Sequence, residues 1–133
     1  MNITANKAIV RRLWEDVWNR KDLAVADEIF SPEYAEHEKS WLREWCSSFP
    51  DTNFTIEDMV AEENKVVTRF TVRATHRGTI MGIEGSGNPV EFMGIWIHRL
   101  EDGRIVEGKN WGTGDWLSLL HQMGAEIIPH QHK

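Results

Sequence analysis

Residues 90–111 read VEFMGIWIHRLEDGRIVEGKNW, and the fold turns on how that stretch is parsed. Over 90–100 alternate residues point the same way along a strand, so Phe92, Gly94, Trp96 and His98 share one face. Glu101-Asp102-Gly103-Arg104 is a hairpin turn in which Gly103 can take a positive φ. Residues 105–111 then return as the antiparallel neighbour, with Val106, Gly108 and Asn110 on one side and Glu107 and Lys109 on the other.

Working outward, the same period of two extends upstream as far as Pro50. Val66, Thr68, Phe70, Val72 and Ala74 alternate with Val67, Arg69, Thr71, Arg73 and Thr75, and the turn Glu62-Glu63-Asn64-Lys65 precedes them. Before that turn, Phe54, Ile56 and Val60 are expected on the buried face, against Thr55, Glu57 and Met59. The segment around Gly85-Ser86-Gly87-Asn88 is a loop. Ahead of Pro50 the period changes to that of a helix: Val10, Leu13, Trp14, Val17 and Trp18 form one stripe, with Thr4 as the expected N-cap. A second short helix over 23–30 ends before Ser31-Pro32, and a third carries Trp41, Leu42, Trp45, Cys46 and Phe49. Downstream, Leu117, Leu119, Leu120 and Met123 suggest a short closing helix before the 130–133 tail. Helices followed by antiparallel strands imply an α+β fold with the helices packed on one face of the sheet, as one domain over 1–133.

Composition removes several function classes. A net charge of −6, with Lys and Arg scattered, argues against a nucleic-acid partner. Neither a signal-peptide core nor a long apolar run is present, so the expected setting is the cytoplasm and not a membrane. The single cysteine, Cys46, cannot form an intramolecular disulfide and sits on an apolar stripe without a recognisable base, as a buried side chain would. No metal-ligand spacing occurs outside His130-x-His132, and no glycine-rich phosphate loop leads into a helix, so neither metal nor cofactor is expected.

Five segments together resemble the SnoaL-like polyketide cyclases of the nuclear transport factor two-like superfamily: IVRRLWEDVWN (9–19), FPDTNFTIED (49–58), THRGTIMGI (75–83), VEFMGIWIHRLEDGRIVE (90–107) and LSLLHQMG (117–124). The resemblance implies a cone of strongly curved sheet around an internal pocket for a small hydrophobic ligand, and a homodimer formed through the sheet. The superfamily includes aldol cyclases, epoxide hydrolases, ketosteroid isomerases, dehydratases and non-catalytic binding proteins, so fold alone names no reaction. In the aldol cyclases an aspartate on the last strand moves the proton. Its counterpart here is Asn110, which cannot, and the family pattern resumes at Asp115 after Gly112-Thr113-Gly114. The stretch between Tyr34 and Phe49 is shorter than the family's, which implies a more open mouth.

The candidate site residues follow, each with two readings. His37, flanked by Glu36 and Glu38, stands where relatives place a pocket histidine, or is a surface residue. Asp115 is either the proton carrier or the N-cap of the closing helix. Asn110 is placed to orient a carbonyl or a water. Trp14, Trp18, Phe92, Trp96 and Trp111 either wall the pocket or fill a core, and His98 is either a pocket group or a strand-end polar residue. Two functions remain open: an enzyme moving protons on a hydrophobic oxygenated molecule without a cofactor, and a binding or assembly protein of the same fold.

Overall fold

The computed structural model describes residues 2–110 and 116–125. Four helices and one four-stranded sheet form an α+β fold: α1 (Ile3–Arg12), α2 (Leu23–Ile29), α3 (Pro32–Ser48), β1 (Asn53–Glu62), β2 (Lys65–Thr75), β3 (Pro89–Glu101), β4 (Arg104–Asn110) and α4 (Trp116–Gln122). The strands lie in sequence order and every pairing is antiparallel. In the β3–β4 hairpin Asp102 and Gly103 both take positive φ, +50° and +76°, the geometry that matches strand twist.

Three local features depart from the expected pattern. Asn2, not Thr4, caps α1, its side chain accepting the Ala5 N–H at 3.0 Å, and the helix therefore begins earlier. Past Arg12 the helix widens into a π-helical segment, Leu13–Asn19, which keeps Leu13, Trp14, Val17 and Trp18 all buried. In β1 the register shifts between Ile56 and Asp58, a bulge that inserts one residue and reverses the alternation beyond it. Met59 and Ala61 consequently pack on the core while Val60 is 60% exposed, the opposite of the expectation for Val60 and Met59. A second bulge, opposite Arg99 and Leu100, bends the β3–β4 pair.

The helices are tied to the sheet by a few polar clamps. Arg104 donates to the carbonyls of Asp27 (3.0 Å) and Phe30 (2.9 Å), fixing β4 against the end of α2. Asn19 meets Phe54 twice, its Nδ2 donating to the carbonyl (2.9 Å) and its Oδ1 accepting the N–H (2.7 Å). That clamp sets the Phe54 ring beside Trp14 and Trp18, at centroid distances of 4.8 and 5.3 Å. Asn19→Ala leaves two half-buried backbone groups unpaired and is expected to lower unfolding free energy by about 1–3 kcal/mol in chemical denaturation. No described helix is long and apolar enough to cross a membrane.

Candidate functional site

Between the helices and the inner face of the sheet lies a cavity whose described walls are almost wholly aromatic. Trp14 and Trp18 reach it from the wide helical turn, Trp41 and Trp45 from α3, Phe54, Phe70, Phe92 and Trp96 from the strands, and Trp116 and Leu119 from α4. The unfilled space is about 650 Å³, part of it continuous with solvent. Two polar side chains complete the described wall: Glu38 of α3 and Asn110 at the end of β4.

Glu38 is the unexpected member. On α3 the residues Ala35, Glu38, Leu42 and Trp45 are all buried, so the carboxyl falls on the apolar stripe of the helix. It is 5% exposed, and the hydrogen bond found for it is from the Trp18 indole, whose Nε1 donates to Oε2 at 2.9 Å. Burial penalises the charged form and pushes its pKa up from the usual 4.5 to about 7, with the Trp18 bond pulling slightly the other way. The signal was in the sequence: an acid three and seven residues from apolar partners on one helical face.

Behind the cavity wall, His98 of β3 is 1% exposed and packs against Trp14 and Trp96, both at 5.7 Å between ring centroids. Burial lowers its pKa to about 3, so it is a neutral imidazole near pH 7. It is accommodated because its β4 partner is Gly108. A Cβ there would lie 2.8 Å from His98 Cδ2 and 2.5 Å from the Tyr34 hydroxyl. Tyr34 itself is held firmly in its phenol form, first by burial and then by the nearby charges of Glu38 and Glu107. Its hydroxyl points to the Gly108 carbonyl over a long 3.5 Å.

The other expected residues divide as follows. Trp14, Trp18, Phe92, Trp96 and Asn110 line the cavity, with Asn110 exposed at the end of its strand. His98 stands behind Trp14 and Trp96 and is not part of the wall. His37 is exposed on α3, its ring against Tyr34 at 5.6 Å, away from the wall; one residue further along, the helix turns Glu38 inward instead. Trp111 and Asp115 lie outside the described residues. Glu107 sits 3.9 Å from Arg99 and 3.8 Å from Lys109, as a solvent-side ion-pair residue does. Cys46 is half-buried, and burial raises its thiol pKa. Among the described residues no group of three or more His, Cys, Asp or Glu side chains is arranged to hold a metal ion.

Helices closed over a four-stranded antiparallel sheet, with a cavity between them, define the nuclear transport factor two-like class of α+β proteins. Within that class the pattern of the SnoaL-like polyketide cyclases matches residues 8–123, and the chain belongs to this family. Among solved structures it is similar to TsrD of Streptomyces laurentii, at 26% identity and a TM-score of 0.84, covering 95% of this chain and 99% of that one. It is also similar to AclR of Streptomyces galilaeus, provisionally assigned as a hydroxylase (25%, TM-score 0.80, 96% and 87% covered). A third is IdmH of Streptomyces antibioticus, provisionally assigned as a polyketide cyclase (25%, TM-score 0.77, 90% and 99% covered). No curated protein matches the sequence.

Proposed function

We propose that the chain is a proton-transfer enzyme of the SnoaL-like family, acting on a hydrophobic, oxygenated small molecule held in the aromatic cavity, with Glu38 as the group that moves the proton. The observation that carries this reading is one carboxyl buried among tryptophans, whose hydrogen-bond donor among the described residues is the neutral Trp18 N–H. A group whose pKa lies near the working pH both takes and returns protons efficiently, and burial puts Glu38 there. The ionised carboxylate takes a proton from the carbon next to a ligand carbonyl, and the electron pair of that C–H bond moves into an enolate. Asn110, an amide donor on the same wall, orients the carbonyl and stabilises the enolate oxygen. For ring closure the enolate carbon attacks a second carbonyl, and the Glu38 carboxylic acid returns its proton to the resulting alkoxide. Every step uses side chains of this chain alone. Glu38 also supplies, from a different element, the titratable group that Asn110 cannot be, which weakens the motive for a purely binding role.

The test is deuterium exchange at the α-carbon of aromatic ketones in heavy water, followed by NMR, in a panel first screened for binding by tryptophan quenching. Exchange is expected to be accelerated by the wild type and to fall by about 100-fold or more in Glu38→Gln, the range for loss of a general base. Ligands that bind without any accelerated exchange would instead favour the binding-protein reading.

A further inference from the structure

Six of the seven tryptophans, Trp14, Trp18, Trp41, Trp45, Trp96 and Trp116, line one cavity. Leu, Ile and Val would suffice to make such a space apolar; what indole adds is a negative ring face, the best side-chain surface for a cation. The described wall carries one ionisable group, Glu38, and no Lys, Arg or His. Its partner is the neutral Trp18 N–H, and among the described residues of the wall no cation faces this carboxyl, which is 5% exposed. A buried carboxyl without a partner is either neutral or paired, and with no cation on the described wall a cationic ligand is the partner that stabilises its charged form. Both features select the same ligand. An anion meets a carboxylate that repels it, a neutral molecule gains contact area only, and a cation gains the carboxylate together with contact to indole rings.

We propose that the natural ligand carries a cationic nitrogen, a protonated or quaternary amine on an apolar body, seated among the indoles with Glu38 as its counter-ion. This rests on reading the cavity as the ligand site and adds the ligand's charge to it.

Two phenols of matched shape test the charge alone: 4-(trimethylammonio)phenol and its neutral carbon counterpart, 4-tert-butylphenol. Dissociation constants are measured near neutral pH by quenching of tryptophan fluorescence in the full chain. The ammonium compound is expected to bind the wild type at least about tenfold more tightly. In Glu38→Gln that preference should shrink to about threefold or less, with circular dichroism and cooperative urea unfolding showing that the variant is folded; a preference kept at about tenfold in the folded variant overturns Glu38 as the counter-ion. Equal or tighter binding of 4-tert-butylphenol to the wild type overturns the cationic ligand and leaves the hydrophobic cavity standing. Failure of both compounds to bind overturns the proposal together with the cavity reading on which it rests.

Discussion

Glu38→Gln is expected to be more stable than the wild type at about pH 8, by on the order of 3 kcal/mol, and nearly equal to it at about pH 4. The sign follows from the direction of the shift. In the unfolded chain the carboxyl ionises at its usual 4.5, whereas in the folded protein burial delays ionisation to about 7. Stability associated with the protonated, buried acid is therefore complete below 4.5 and is lost as pH rises to about 7, after which the loss levels off. A shift of this size, at about 1.4 kcal/mol for each pKa unit, gives the magnitude. Glutamine keeps an oxygen for the Trp18 N–H and never ionises, so the variant escapes the loss. Urea unfolding of both proteins across that pH range measures it. A residue whose removal stabilises the fold while abolishing proton transfer is one retained for function at the expense of stability.

The second large effect runs in the opposite direction. His98 is uncharged in the fold down to about 3, while an unfolded histidine takes up its proton near 6.5. The depressed pKa contributes stability that is complete above 6.5 and is lost as pH falls towards 3, on the order of 5 kcal/mol in all. His98→Leu should remove that acid limb: whatever the repacking beside Trp14, Trp96 and Gly108 costs, the difference between its stability at about pH 6.5 and about pH 3.5 should be several kcal/mol smaller than the wild type's. Groups common to both proteins cancel in that comparison. Between 4.5 and 6.5 the two residues oppose one another, since acidification relieves Glu38 while it strains His98. A wild type with a flat profile there, and steeper limbs in each single variant, is the joint signature.

The fold was largely legible because its signals are local and periodic. The switch from a period of 3.6 to a period of two at Pro50, and the Asp102-Gly103 turn, suffice to order the helices and strands. What escaped depends on one-residue changes that periodicity does not encode. The bulge after Ile56 exchanges the roles of Met59 and Val60, and the wide turn after Arg12 carries Trp14, which packs on Phe54 and Phe70, and Trp18, which packs on Phe54. The aromatic wall was half visible: Trp14, Trp18, Phe92 and Trp96 could be assigned to inward faces, but Trp41 and Trp45 read only as the stripe of a helix. Glu38 was missed for a physical reason as well. An acid beside a histidine looks solvated in sequence, and the protein hides it by turning Glu36 and His37 outward and Glu38 inward on consecutive positions of α3.

Proton transfer in the cavity requires Glu38 to be a buried acid that titrates near neutrality. Titration of its side-chain carboxyl carbon by NMR, assigned by comparison with Glu38→Gln, measures this directly. A midpoint of about 7 is the predicted result. A midpoint at the usual 4.5 would mean that water or a cation of the protein already solvates the carboxylate, and would contradict both the proton-transfer role and the place reserved for a cationic ligand.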